Sequence, residues 1–170
     1  MGSLLFPGQG SQVVGMGSEF YNNFQIVKKI FKQADEKLNF HLSKIILDGP
    51  ENELKLTKNT QPAIMTLSFS IYKLIVEEFG IDIKDIKYFC GHSLGEYSAL
   101  VANNSLSFED SVKLLKIRSE AMQRSMPIGT GGMAAVLGQS EEQTLITIEK
   151  LKSHGKLFIA NDNANGQIVL

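Results

Sequence analysis

A serine framed by glycines, Gly91-His92-Ser93-Leu94-Gly95, carries the clearest chemistry in this 170-residue chain. Gly-x-Ser-x-Gly spacing makes a sharp strand-to-helix turn that lifts the serine oxygen clear of the backbone, and the glycines permit the crowding. The N-terminus of the following helix brings backbone N–H groups toward a developing oxyanion. Three defined residues recur by chance in roughly one chain in twenty of this length, so the pattern needs context. An apolar run, Ile86 to Cys90, precedes it, and a helical stretch, Leu94 to Asn103, follows. The chemistry expected is acyl transfer through a serine ester; the alternative is a serine in an ordinary βα turn. His92 is a poor base for its neighbour. Adjacent side chains at a strand end point opposite ways, and a base must come within about 3 Å from across the site. His92 is therefore expected to pack beside the turn. His41 and His154 fall in helix-like segments without a motif.

Arg118 is the second residue with chemistry to explain. The spacing predicts a helix over 108–125, opened by a capping box of Ser107 and Asp110. On a helical wheel Phe108, Val112, Leu114, Leu115, Ala121 and Met122 share a broad face, and Arg118 lies near its middle. An unpaired buried guanidinium costs several kcal/mol, and its planar fork suits a carboxylate. Its i±3 and i±4 neighbours are Leu114, Leu115, Ala121 and Met122, all apolar. The partner must come from elsewhere: another segment of the chain, or a substrate carboxylate.

The third candidate is the loop Phe6-Pro7-Gly8-Gln9-Gly10-Ser11-Gln12. It lacks the third glycine of a dinucleotide loop, because position 13 is Val, and no Gly-Lys-Ser/Thr follows for a P-loop. Two readings remain: a tight structural turn, or a backbone that approaches a ligand closely and offers N–H donors.

These residues need elements to hold them. Ser3 to Phe6 reads as a buried strand and Ile86 to Cys90 as a second. Helices are expected over 22–38, over 41–47 and over a long stretch from Asn59 or Thr60, which would cap it, to Gly80. After the linker Pro127-Ile128-Gly129-Thr130-Gly131-Gly132 the rhythm becomes strand 133–137, helix 141–153, strand 157–160 and strand 167–170, the front of a βαβ-β unit. Two domains follow: residues 1–128, and 129–170 with its sheet cut short.

Composition narrows the function classes. Apolar residues make up 43% and charged residues 21%, with a net charge of -1, as in a globular domain. That leaves no basic field for nucleic acid and no polybasic face for a membrane. The single cysteine, Cys90, excludes a disulfide framework and a Cys-rich metal site; it is expected to be a small buried residue. No run of about 18 apolar residues exists and no secretory leader is seen, so a cytoplasmic protein is expected.

Together the motifs resemble the malonyl-CoA:acyl carrier protein transacylase family of fatty-acid synthesis, over about residues 3 to 170. Phe6 to Gln12 matches its opening motif, and Thr60-Gln61-Pro62-Ala63 the start of its helix before the nucleophile strand. Gly91-His92-Ser93-Leu94-Gly95-Glu96-Tyr97 matches its nucleophile motif. Arg118 and Gly129-Thr130-Gly131-Gly132-Met133-Ala134 fall in register. The resemblance implies an α/β fold: an α/β-hydrolase-like large subdomain with a parallel sheet, plus an incomplete ferredoxin-like small subdomain. It implies that Ser93 takes a malonyl group from malonyl-CoA. Gln12 and Leu94 would supply the oxyanion-hole N–H groups, and Arg118 would clasp the free carboxylate of malonate. Gln61 and His92 would line the pocket. Asn161 and Asn163 would lie near the acyl-thioester channel. The malonyl group would then pass to the phosphopantetheine thiol of acyl carrier protein, with no metal and no permanently bound cofactor. Family members are considerably longer. The chain is therefore expected to be their N-terminal part, to lack the catalytic histidine, and to turn over slowly or not at all alone. Competing expectations are a serine esterase or hydrolase, an acyltransferase domain of a polyketide synthase, and a non-catalytic acyl-CoA or carrier-protein binding module.

Overall fold

Residues 2–127 and 129–170 are described by a computed structural model. Strands β1 (Gly2–Phe6) and β2 (Ile86–Gly91) pair in parallel, with Leu4 opposite Phe89, Leu5 opposite Cys90 and Phe6 opposite Gly91. A parallel pair needs a long crossover. Five helices supply it: α1 (Ser18–Asn23), α2 (Gln25–Leu38), α3 (Leu42–Asp48), α4 (Glu51–Leu54) and α5 (Thr57–Glu77). After β2 come α6 (Gly95–Ala102) and α7 (Phe108–Ser125). The main core joins Val27, Ile30 and Phe31 of α2, Ala63, Ile64 and Met65 of α5, and Val112 and Leu115 of α7. Phe69 of α5 stacks on Phe108 of α7 at 4.9 Å between ring centres. A smaller cluster of Phe6, Tyr72, Ala99 and Ala102 seats one face of the strand pair on α5 and α6, with Leu4 and Phe89 against it.

The other face is open: Leu5 is 77% exposed and Tyr88 53%. Cys90 shares that exposure, which corrects the expectation that it is buried. Successive strand residues face opposite ways, and Phe89 takes the covered side.

Two helix boundaries also differ from expectation. Phe24 adopts extended backbone (φ -124°, ψ 123°) and divides the expected 22–38 helix into α1 and α2. Helix α5 starts at Thr57, ahead of Asn59 and Thr60. Their side chains reach back instead of capping. Asn59 Nδ2 donates to the Glu53 carbonyl at 2.9 Å, and Thr60 Oγ1 to those of Leu54 and Leu56 at 2.5 and 3.1 Å. They close the turn that ends α4.

The chain divides into two compact units, Met1–Ser125 and Met126–Leu170. The second contains β3 (Ala135–Leu137), α8 (Glu141–Leu151), β4 (Asn161–Ala164) and β5 (Gln167–Val169). Its strand order is β3-β5-β4, each neighbour antiparallel, so β3 and β4 run parallel on either side of β5, a split βαβ arrangement. Ser140 caps α8 in a reciprocal pair with Gln143. The strand expected over 157–160 is displaced to 161–164. The Asn165-Gly166 turn, with Gly166 at φ 80°, sets a two-residue hairpin. That turn places Ala164 opposite Gln167, whatever the apolar run before it suggests. Among the described residues no helix is long and apolar enough to cross a membrane.

Candidate active site

Ser93 sits where three segments crowd together, and the crowding explains its glycines. A Cβ added at Gly91 would lie 2.0 Å from both the carbonyl carbon and oxygen of Gly95. One added at Gly95 would lie 2.3 Å from the Phe6 carbonyl oxygen and 2.8 Å from that of Pro7. All these neighbours are backbone, so no flexible side chain can move aside. Ser93 has φ 54°, a left-handed conformation that costs a residue with a Cβ about 1–2 kcal/mol. His92 N–H donates to the Phe6 carbonyl at 3.1 Å, and Gly95 N–H to the His92 carbonyl at 2.9 Å. The strand end, the glycine loop and the start of α6 are thereby tied together. The His92 imidazole lies against the loop: a Cβ on Gly8 would come within 2.5 Å of its Nδ1.

Arg118 reaches this turn from α7. The buried residues of α7 are Phe108, Ser111, Val112, Leu115 and Ser119, while Leu114 and Met122 are exposed. Arg118 is half-buried at the margin of the packed face, not at its centre as the wheel places it. Its guanidinium forks. Nη2 donates to Ser93 Oγ at 3.1 Å, and Nη1 donates to Gln61 Oε1 at 2.6 Å. Its Cζ lies 6.0 Å from the centre of the Tyr97 ring. Gln61 is 1% exposed, and its Nε2 donates to Met122 Sδ at 3.2 Å. The ion pairs among the described residues all involve other side chains. The partners of Arg118 are thus neutral, and its positive charge is not cancelled from within. Among the described residues Arg118 is also the one hydrogen-bond partner of the Ser93 hydroxyl.

The glycine loop holds itself through side chains. Gln12 Oε1 accepts from the Gly10 N–H at 2.8 Å, and Ser11 Oγ donates to the Gly8 carbonyl at 3.1 Å. Gln9 Nε2 donates to Thr57 Oγ1 at 3.3 Å. Leu94 is fully buried and already helical, at φ -58° and ψ -26°. Among the described residues neither the Gln12 nor the Leu94 backbone N–H donates to a protein acceptor. A cavity of about 330 Å³ between β1 and α5, lined by Leu4, Phe6, Ile64, Leu67 and Tyr72 among others, does not include Ser93, Gln61 or Arg118.

The structure thus brings Ser93, Gln61 and Arg118 together. Asn161 and Asn163 lie on β4 of the second unit. Two contributors escape sequence reasoning: Tyr97, four residues after Ser93, and Met122, four residues after Arg118. An i+4 residue on a helix stands over the one before it, and that spacing is the signal that could find them.

Residues 4–162 match the acyl transferase domain family. The chain is 44% identical over 169 residues to the malonyl CoA-acyl carrier protein transacylase of Bacillus subtilis strain 168, covering 99% of this chain and 52% of that relative. It resembles the crystal structure of the acyl-carrier-protein S-malonyltransferase of Bartonella henselae with a TM-score of 0.88 and 42% identity, over 99% of this chain and 54% of that one. A malonyl-transacylase solved in complex with a type II polyketide synthase acyl-carrier protein gives a TM-score of 0.85 and 34% identity, over 98% and 53%. The chain spans about half the length of the curated relatives it matches.

Proposed function

Because the chain belongs to the acyl transferase domain family, we propose that it serves the transfer of a malonyl group from malonyl-CoA to the phosphopantetheine thiol of acyl carrier protein, with Ser93 carrying the acyl group between them. The carrying observation is the juxtaposition of Ser93 Oγ, 3.1 Å away, with a guanidinium that has no ion-pair partner among the described residues. In a malonyl thioester one methylene separates the carboxylate from the reacting carbonyl, so the two carbons lie about 2.5 Å apart. A carboxylate held by Arg118 therefore sets that carbonyl beside Ser93. Longer diacids overshoot, and neutral acyl groups leave the guanidinium unanswered.

The chemistry runs as two displacements. Ser93 Oγ bonds to the malonyl carbonyl carbon, the bond to the CoA sulfur breaks, and the serine proton passes to a base while the thiol departs. The acceptor thiol then attacks the ester, and Ser93 recovers its proton. In each step negative charge collects on the carbonyl oxygen, and in this reading the N–H groups of Gln12 and Leu94, which donate to no protein acceptor among the described residues, receive it. Arg118 is a cation and cannot take the proton, so fast acylation needs a base beyond the hydrogen-bond partner that Ser93 has here. Gln61 and His92 line the acyl pocket in this reading. In this reading the second unit, with Asn161 and Asn163 on β4, belongs to a ferredoxin-like small subdomain. The protein is cytoplasmic, and its acceptor is acyl carrier protein, the partner seen with one solved relative.

The test is mass spectrometry of the peptide bearing Ser93 after exposure to malonyl-CoA or acetyl-CoA. A malonyl adduct on Ser93 that exceeds the acetyl adduct is expected. Arg118→Ala should lower malonylation about 10- to 100-fold, the range of a hydrogen bond to a charged group, and leave acetylation nearly unchanged. Equal adducts from both donors in the unaltered protein would refute the reading and favour a general serine esterase.

A further inference from the structure

We propose that Gln61 is a positioning residue that keeps Arg118 aimed without cancelling its charge, and that acyl selectivity depends on the neutrality of its amide. The proposal rests on the reading of Arg118 as the carboxylate site. Gln61 stands on α5, in a different segment from either Ser93 or Arg118. It is buried to 1% exposure, so its amide is fixed by packing and not by solvent. Its oxygen takes Nη1 at 2.6 Å, and its nitrogen is occupied by Met122 Sδ at 3.2 Å. The second bond settles which end of the amide faces Arg118, because a thioether sulfur accepts and does not donate. One arm of the guanidinium is thereby spoken for, while Nη2 stays at Ser93.

The choice of residue type matters here. A glutamate of the same shape would hold Arg118 equally well, but would form an ion pair at a site where solvent is excluded from one partner. The charge left for a substrate carboxylate would be cancelled. An apolar residue would leave the charge intact but release the fork, since Tyr97 gives only a face contact at 6.0 Å. Glutamine does what neither alternative can: it accepts one N–H and leaves the net charge available.

The experiment uses the whole chain labelled at its arginine side chains, with free malonate and propionate as ligands. Magnetic resonance reads whether the Arg118 Nη signals are individually resolved, and titration reads affinity. The unaltered chain should show resolved Nη signals and bind malonate more tightly than propionate. Gln61→Met, close in volume and apolar, should collapse the Nη signals and weaken malonate about tenfold, one hydrogen bond to a charged group. Gln61→Glu should keep the signals resolved yet weaken malonate by roughly tenfold or more, with propionate affected little. A purely structural role would lower thermal stability in both variants without separating signal from affinity. Resolved Nη signals in Gln61→Met, or unchanged malonate binding in Gln61→Glu, would overturn the proposal. Absence of malonate binding in the unaltered chain, with signals that still collapse in Gln61→Met, would instead refute Arg118 as a carboxylate site while upholding Gln61 as its anchor.

Discussion

Replacing Gly95 by alanine tests the crowding that presents Ser93. The new methyl would lie 2.3 Å from the Phe6 carbonyl oxygen, 2.8 Å from that of Pro7 and 2.9 Å from the Phe6 carbonyl carbon. Ordinary contact begins near 3.4 Å, so α6 and the end of β1 must separate by a substantial fraction of an ångström. Overpacking costs about 1–3 kcal/mol, and this case belongs at the upper end because every obstructing atom is backbone. Against it stands the helix preference of alanine over glycine, about 1 kcal/mol at most. The net loss is about 2 kcal/mol. At about 2–4 °C per kcal/mol for a chain of this size, the melting temperature should fall by about 4–8 °C. Circular dichroism melts of purified protein measure this. Gly132→Ala is the control, since nothing lies within 4 Å of the point where its methyl would sit and its φ is not left-handed; its melt should move by less than about 1 °C. A Gly95→Ala protein that melts within about 1 °C of the unaltered one would show that the three segments are not packed as described.

The backbone of Ser93 and the buried phenol of Tyr72 yield two more expectations. Ser93 holds φ 54°, so Ser93→Gly should be more stable than Ser93→Ala by about 1 kcal/mol. Both lose the hydroxyl and its bond to Arg118, which makes the comparison one of backbone alone; equal melting temperatures would argue against strain at Ser93. Burial raises the Tyr72 pKa above its ordinary 10.0. The unfolded phenol ionises first as pH rises, so the contribution of Tyr72 is fully present below about pH 10 and is lost as pH climbs through the raised folded value. Melts taken from about pH 9 to about pH 11.5 should fall less steeply for Tyr72→Phe than for the unaltered chain; parallel curves would contradict the burial.

Local patterns in the sequence locate most elements, and the misplacements share a cause. Helix α7 is legible to the residue because its apolar spacing and its Ser107–Asp110 cap agree, and that cap forms, with the Asp110 N–H donating to Ser107 Oγ at 3.1 Å. Strand β4 eludes the pattern because Asn161, Asp162 and Asn163 are poor strand formers. Their pairing is imposed by the Asn165-Gly166 turn and by β5, not by their own preference. Cys90 misleads because an apolar run reads as buried on both faces in a parallel sheet. Here one face of the β1–β2 pair has helices against it and the other leaves Leu5 and Tyr88 exposed. Thr60 suggests a helix cap because its type suits one. A side chain that can reach two carbonyls of the turn before it serves those instead.

The site divides along the same line, between what one segment determines and what needs two. Ser93 and its glycines are readable from five consecutive residues, because the turn is a local device. Arg118 is readable only as a question. Its helix shows that no acid stands at the i±3 or i±4 positions, but not what lies across the groove. The answer is a glutamine 57 residues away in sequence, and nothing in residues 108–125 encodes it. A neutral partner also changes what the anomaly means. Had an internal carboxylate met Arg118, the guanidinium would have been structural, and Ser93 would have stood beside a spent charge. With Gln61 on one arm and a serine hydroxyl on the other, the unmet electrostatic need in the fork is for an anion. Under the proposed function, selection of a carboxyl-bearing acyl group rests on the neutrality of the contacts around Arg118 as much as on Arg118 itself.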